Sequence, residues 1–438
     1  MIKPSLPKGF RDHLPLEAQK RQFVTSIIES TFHTYGFQRL ETPLFEGLKT
    51  LTEKYGEEGD QLLFKVLRSG DFLQKADQEA LVNGDSRAVA RGICESGLRY
   101  DLTVPLARVV VQHQSEIQFP FKRYQIGPVF RADRPQKGRY RQFTQCDADI
   151  VGSGSWVGDA EVLKIYVEVF QALGLKVRIR LNHRKIMQGM LRHLSLEELS
   201  TDVLTALDKL DKIGHDGVRK QLDSLGIPSQ AAEEFMAWVG ANDLTIAHND
   251  MMSEGQKRLK KLQSVLGESV QFDASLARGL DYYTGMVVEV VSEEFEFGSI
   301  GGGGRYDDLT QVFGGRDLPG VGISFGLDRI VDVMDHLARW PVHMNTKPLI
   351  LFVHFDEKGL LKSWDYVQQL RSKGINAELY PEVAKAKKQL KYADQRGFSY
   401  VAMLGDDELA SNTVLLKTLD EGSQRSLPFA DLLTLLKG

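Results

Sequence analysis

Apolar positions recur along the chain in two periods, and the elements follow from them. Over 15–35 the spacing is helical, with Phe23, Ile27, Ile28, Thr31 and Phe32 on one stripe, and Gly36 ends the run. A short strand over 37–43 follows. The pattern then predicts a hairpin over 60–72, loop and short helix over the polar stretch 73–98, and a strand entering a helix over 98–105. Between Arg123 and Val151, two β-branched and aromatic runs flank a basic loop containing Pro135 and Gly138, which reads as a long antiparallel hairpin. A helix over 158–173 and a strand over 176–182 come next. Strand-like runs vanish from about 183 to 268, where Leu196, Leu199, Val203, Leu207 and Leu210 keep helical spacing, the pattern of an inserted helical subdomain. β-structure resumes over 270–273, 277–291 and 298–307, and 320–329 leads into a helix that runs to about Leu337. Beyond a linker over 341–348, strands over 349–355, 376–380 and 400–404 alternate with helices over 358–372 and 385–396. Two more strands and a final helix complete a small α/β domain.

Side chains alternate faces along a strand, so Arg123, Gln125, Val129 and Arg131 share one face of the hairpin. On the return run Arg139, Arg141, Phe143, Gln145, Asp147 and Asp149 also share one. Cations and an aromatic plane lie near the loop, an amide and two carboxylates further down. That order suits a phosphate and purine at one end and a cationic ligand at the other, against the plainer alternative of a solvated hairpin. Gly301–Gly304 are four adjacent glycines, whose entropic cost implies close approach of the backbone to a ligand or another strand, or else a tight turn.

Composition narrows the class. The chain has 438 residues, 42% of them hydrophobic and 26% charged, values of a globular protein with two or three domains. No apolar run approaches membrane-spanning length and no signal-peptide core opens the chain, so Cys94 and Cys146 are expected to be reduced thiols in the cytoplasm. A net charge of −4 excludes a general basic coat for nucleic acid, leaving local patches such as Lys385, Lys387, Lys388 and Lys391, which serve equally as a solvated helix face. Walker-type, His-Glu-x-x-His and Cys-x-x-Cys motifs are lacking. Gly322-Ile-Ser-Phe-Gly326 matches a hydrolase elbow, but Pro319 and Gly320 precede it where a buried apolar strand is required, so Ser324 reads as a strand residue.

Taken together, the motifs resemble those of the histidine–tRNA ligases, class II aminoacyl-tRNA synthetases, over essentially the whole length. Leu40-Glu-Thr-Pro43 after the long helix resembles the first class motif, a dimer interface; the hairpin resembles the second, and Gly320 to Arg329 the third. Arg278-Gly-Leu-Asp-Tyr-Tyr-Thr-Gly285 and Gly301-Gly-Gly-Gly-Arg-Tyr-Asp307 resemble the histidine-specific signatures. The resemblance implies an α+β fold, an antiparallel sheet with flanking helices, a helical insertion and a C-terminal α/β anticodon-binding domain. Its boundaries are a catalytic domain over 1–182 and 269–340, an insertion over 183–268, a linker over 341–347 and the anticodon-binding domain over 348–438.

The same resemblance assigns roles. Arg131 grips the ATP α-phosphate with Arg278 beside it, Arg139 faces the outer phosphates, and Phe143 and Arg329 sandwich the adenine. Asp133 stands where the family usually has a glutamate that contacts adenine or ATP. Gln145 and Asp149 hold histidine, Asp101 and Thr103 take its α-amino group, and Tyr282, Tyr283 and Tyr306 wall the imidazole pocket. Asp101 and Asp149 replace the glutamates of many bacterial members and resemble the eukaryotic and archaeal branch. Gln136 is a candidate reader of the terminal guanosine of tRNA-His, and Lys385, Lys387 and Lys388 are candidates for tRNA contact. Magnesium accompanies ATP on its outer phosphates, with no metal site of the protein's own and no organic cofactor; the partners implied are histidine, ATP, tRNA-His and a second copy in a homodimer. The alternative from another class is a catalytically inactive relative, the regulatory subunit of ATP phosphoribosyltransferase, which lacks the anticodon-type domain.

Overall fold

The computed structural model describes residues 3–52, 62–136, 138–279, 283–308, 310–315, 317–341 and 349–437. The chain divides into two units, Met1–Trp340 and Pro341–Gly438. Among the described residues no helix is long and apolar enough to cross a membrane.

The first unit is built on strands β1 (Gln38–Arg39), β2 (Phe45–Gly47), β3 (Lys65–Leu67), β4 (Cys94–Leu98), β5 (Phe121–Phe130), β6 (Gln142–Val151), β7 (Val177–His183), β8 (Val270–Phe272), β9 (Met286–Ser292), β10 (Ser299–Tyr306) and β11 (Gly320–Gly326). Eight of them form one sheet in the order β1-β5-β6-β11-β10-β9-β7-β8. Its helices are α1 (Pro15–Thr34), α2 (Gln78–Val82), α3 (Ser86–Ile93), α4 (Thr103–Gln112), α5 (Trp156–Ala172), α6 (Arg184–His193), α7 (Ser200–Leu207), α8 (Leu210–Ser224), α9 (Ser229–Ala241), α10 (Asp250–Leu266) and α11 (Leu327–His336). Proline at its first position starts α1, and Gly36 at φ +77° ends it. Its fully buried stripe is Val24, Ile28 and Phe32, which sits on the sheet core with Phe325 and Tyr124; Phe23 and Ile27 pack at the margin and Thr31 bonds back to Ile27. Helices α6 to α10 share that core: Val203, Phe235 and Leu259 belong to the same buried cluster as Val288 and Ile323.

Four local expectations need correction. Residues 60–72 make no hairpin among the described residues: Lys65–Leu67 pairs with Cys94–Leu98 in a small sheet β2-β4-β3, and the turn after Arg68 leads to a 3-10 helix, Phe72–Lys75. In the polar stretch 73–98 the short helices are present as α2 and α3, where the Asp77 and Asp85 side chains accept from first-turn N–H groups, but 94–98 is a strand, β4. Over 98–105 the strand already ends at Leu98, and the helix it is expected to enter, α4, starts at Thr103, where Asp101 Oδ1 accepts from the N–H groups of Thr103 and Val104. Finally, among the described residues of the run 277–291 strand begins at Met286, so Arg278 lies outside β9, and β10 and β11 separate β9 from the hairpin.

The second unit has strands β12 (Ile350–His354), β13 (Ala377–Leu379), β14 (Tyr400–Leu404), β15 (Thr413–Thr418) and β16 (Gln424–Pro428) in the order β13-β12-β14-β15-β16. Helices α12 (Glu357–Ser372), α13 (Ala386–Arg396), α14 (Asp406–Ser411) and α15 (Phe429–Leu435) accompany it. The sequence pattern misses α14, a short helix led by Asp406, Asp407 and Glu408, acidic residues suited to a helix N-terminus.

Candidate active site

The floor of the site is the middle of the large sheet. Arg123 pairs with Asp149, Asp149 with Gly322, and Gly322 with Gly304, so one row of residues crosses four strands. Glycine is required along it. A Cβ on Gly322 would stand 2.0 Å from Asp149 Oδ1, and one on Gly304 would stand 2.6 Å from the Tyr283 ring. The glycine run is therefore a strand that carries other residues' side chains close to its backbone, and the tight-turn reading is excluded. Ser324 lies within β11, as expected of a strand residue, and its hydroxyl accepts from Gln145 Nε2 at 3.0 Å.

Two cavities, of about 380 Å³ and 60 Å³, open on this floor and share Arg131, Gln145, Tyr283, Gly302 and Ser324 in their walls. The larger is lined by Arg131, Asp133, Arg139, Phe143, Arg278 and Arg329. The Arg131 guanidinium lies 4.1 Å over the Tyr100 ring and 5.2 Å from that of Phe143, and its Nε donates to Tyr100 O. Arg329, in the first turn of α11, donates to Ser299 O at 2.7 Å and to Gly138 O at 3.3 Å. Burial, then the charges of Arg278, Arg139 and Arg131, lower its pKa. Four guanidiniums around one cavity are mutually repulsive until an anion enters. Local carboxylates offset them only in part: Asp133 is 3.8 Å from Arg139, and Glu289 is 2.9 Å from Arg278. This cavity suits a polyanion with a flat group against Phe143.

The smaller cavity has the opposite character. Asp101, Thr103, Gln145, Asp147, Asp149, Tyr283 and Tyr306 line it. Tyr306 donates to Asp149 Oδ1 at 2.6 Å, and the fully buried Arg123 holds Asp149 Oδ2 at 2.7 Å. Burial raises the pKa of Asp149, against the pull of Arg123 and the Tyr306 hydrogen bond. Asp147 is pushed up to about 7, chiefly by burial, with Asp149 and Asp101 adding to the push and Arg123 opposing it. Asp147 Oδ1 and Gln145 Oε1 are buried acceptors without a hydrogen-bond partner among the described residues. Unpaired buried acceptors are costly, and these two call for a ligand rich in N–H groups.

The cleft thus gathers Arg131, Asp133, Arg139, Phe143, Arg278 and Arg329 with Asp101, Thr103, Gln145, Asp149, Tyr283 and Tyr306. Tyr282 lies outside the described residues. Gln136 is in the hairpin loop, exchanging backbone hydrogen bonds with Arg139, and is not among the lining residues. Lys385, Lys387 and Lys388 stand at the start of α13 in the second unit, and Lys388, exposed, pairs with Glu382 at 3.2 Å. Sequence reasoning missed Arg123 and Asp147 as site residues, although both stand on the face it singled out. It also missed Asp328 in α11, whose Oδ1 receives Arg11 at 2.7 Å and Arg21 at 2.6 Å while Oδ2 receives Thr144 N at 2.8 Å. A His193, Glu234 and His248 cluster forms away from the cleft, but His193 already engages Glu234 at 2.9 Å and stacks on His248.

Comparison with known proteins identifies the family. Residues 94–330 match the family described as histidyl-tRNA synthetase, and 347–438 the anticodon binding domain. The histidine–tRNA ligases of Christiangramia forsetii and Porphyromonas gingivalis are 46% and 45% identical, over 99% and 100% of this chain and 99% of each relative. The crystal structure of histidyl-tRNA synthetase from Nostoc sp. is 29% identical, covers 100% of this chain and 99% of its own, and superposes with a TM-score of 0.80. A Bacillus halodurans structure described as an ATP phosphoribosyltransferase regulatory subunit/histidyl-tRNA synthetase shares the fold alone, at 20% identity and TM-score 0.72, over 92% of this chain and 99% of that one. With the family spanning the central sheet and relatives matched from end to end, the chain belongs to the histidyl-tRNA synthetase family.

Proposed function

We propose that this chain activates histidine with ATP to histidyl-adenylate and passes the histidyl group to the 3′ end of tRNA-His. The observation that carries the reading is the junction of an arginine-lined cavity with a small acidic one at Gln145 and Arg131. ATP lies in the larger with its adenine between Phe143 and Arg329, its α-phosphate at Arg131 and Arg278 and its outer phosphates toward Arg139; Asp133 meets the adenine or ATP. Histidine lies in the smaller, its α-amino group at Asp101 and Thr103, its side chain among Gln145, Asp149, Tyr282, Tyr283 and Tyr306. Its carboxylate then faces the α-phosphorus, attacks in line and displaces pyrophosphate. Such a transfer depends on positioning and charge neutralisation, which the guanidiniums supply.

The donor set fits magnesium only as a companion of the nucleotide. Asp133 and Asp328 are the carboxylates lining the larger cavity among the described residues, and Asp328 has both oxygens engaged. The cation would be held by the outer phosphates and water, whose negative charge it offsets. Residues 347–438 take the anticodon stem, with Lys385, Lys387 and Lys388 as phosphate contacts and Gln136 reading the terminal guanosine. The active form is a homodimer joined through α1 and the strand after it, working in the cytoplasm where translation consumes charged tRNA.

The rival, a regulatory subunit without activity, is opposed by the anticodon-domain match and by the retained signature residues. Exchange of labelled pyrophosphate into ATP, run with each of the twenty amino acids, separates the two. Histidine alone should stimulate it, because a site built to bond a ligand's polar groups rejects analogues lacking them by about 10⁴ or more. Stimulation by another amino acid, or by none, rejects the reading.

A further inference from the structure

Arg278 is the end of a chain of ion pairs. Its Nη1 lies 2.9 Å from Glu289 Oε1, and the other Glu289 oxygen lies 3.0 Å from Arg180 Nη1. The same Arg180 Nη1 also meets Asp211, on α8, at 3.1 Å, while Arg180 Nε is gripped by Asp273 at 2.6 Å. The middle is dry and the ends are wet: side-chain exposure is 7% for Glu289 and 14% for Arg180, against 46% for Arg278 and 72% for Asp211. A cavity of about 260 Å³ follows this chain and shares Arg278 and Ser299 with the nucleotide cavity.

An arginine side chain is long and rotamer-rich, and one that is half exposed contributes at a transition state only if something fixes it beforehand. Glu289 does this from a strand, with one oxygen on each of two guanidiniums. Because Arg180 takes part of its charge, Glu289 orients Arg278 without neutralising it, and positive charge remains for a phosphate. Arg180 and Glu289 are cross-strand partners on β7 and β9, which alone would make them an ordinary sheet pair. What an ordinary pair does not explain is the extension at both ends, to the cavity and to the helical segment.

We propose that Glu289 and Arg180 are positioning residues for Arg278, and that Asp211 extends their chain to α8 so that the helical segment tunes adenylate formation. The proposal rests on the assignment of Arg278 to the α-phosphate.

The test is a double-mutant cycle on the full chain, read by single-turnover formation of histidyl-adenylate and, separately, by transfer from preformed adenylate to tRNA. Glu289→Gln should slow adenylate formation about 10-fold, move the histidine and ATP dissociation constants by less than about 2-fold, and leave transfer unchanged. In an Arg278→Ala background the same substitution should cost less than about 2-fold, since the group it positions is gone. Asp211→Asn, on the solvent side and thus tolerated by the fold, should slow the same step about 3-fold. An equal loss in both backgrounds, or in both half-reactions, overturns the positioning role, and an unaffected Asp211→Asn overturns the link to α8. If Glu289→Gln does not fold, Arg180→Lys takes its place in the cycle with the same expectations. Histidine-dependent adenylation with an additive cycle removes the relay alone, whereas a wild-type chain that makes no histidyl-adenylate removes the functional reading and the relay with it.

Discussion

Asp147→Asn isolates the cost of keeping a carboxyl group in the floor of the smaller cavity. The folded chain raises its pKa from 3.8 to about 7, chiefly by burial, and the side chain is almost wholly out of solvent. The folded form therefore holds the proton more tightly than the unfolded form. Its contribution to stability is complete below about pH 4 and is lost as the pH rises to about 7. At 1.36 kcal/mol per unit, a shift of about three units corresponds to about 4 kcal/mol across that window. Asparagine keeps the shape and does not titrate. Relative to the wild type, the variant should gain about 1.4 kcal/mol per pH unit between pH 4 and 7, then level off. Urea unfolding of both chains at pH 5, 6, 7 and 8, followed on the transition of the first unit, gives the difference. A difference independent of pH, or one that shrinks as pH rises, refutes the argument. A ligand carrying positive charge near Asp147 reverses the shift, so histidine binding near pH 6.5 should release a proton that calorimetry in two buffers detects, and the variant should release less.

Arg278→Ala should slow adenylate formation by about 10²–10³ while moving ground-state dissociation constants only a few-fold, as for other preorganised groups that meet developing charge; an equal loss in the transfer step would mean a structural role. Changing Lys385, Lys387 and Lys388 together to Ala should weaken tRNA binding and flatten its dependence on log salt by roughly 0.7–0.9 for each phosphate left unneutralised, and an unchanged slope would leave α13 as a solvated face. Gly322→Ala places a methyl group 2.0 Å from Asp149 Oδ1 and should abolish saturable histidine binding, whereas Gly240→Ala, with nothing within 4 Å of its added carbon, should leave it intact. If titration calorimetry finds the two variants equally stable and equally able to bind histidine, Asp149 does not hold the ligand.

Much of this architecture is legible in the residue pattern because periodicity reports burial. The hairpin, α1, α5 and nearly every element of the second unit are long or sharply alternating, and a run such as Ile350–His354 admits one reading. The pattern fails where a tertiary partner decides the outcome. Lys65–Leu67 is too short to declare a partner, and its mate, Cys94–Leu98, is interrupted by Gly97, which lies beneath Leu51 and Phe64. The apolar residues that follow Arg278 suggest a strand that includes it, but pairing begins at Met286 with β7 and at Val287 with β10. Residues that line the two cavities are legible where family signatures mark them. Asp147 stands on the face singled out in the hairpin, but only burial beside Asp149 reveals its altered proton affinity.

The strand order also bears on how the chain survives its own synthesis. β6 and β10 lie on either side of β11, and β11 is the last of the eight strands to be made. Until it emerges, β1-β5-β6 and β10-β9-β7-β8 are separate half-sheets, and the outer edge of β6 has no partner within the chain. An open edge invites pairing with a neighbouring nascent chain, and inward-pointing charges discourage it. On that edge stand Asp147 and Asp149, which before burial are ionised at neutral pH like any exposed carboxylate. The two carboxylates that line the smaller cavity of the finished protein are therefore also charges on the open edge of the unfinished one.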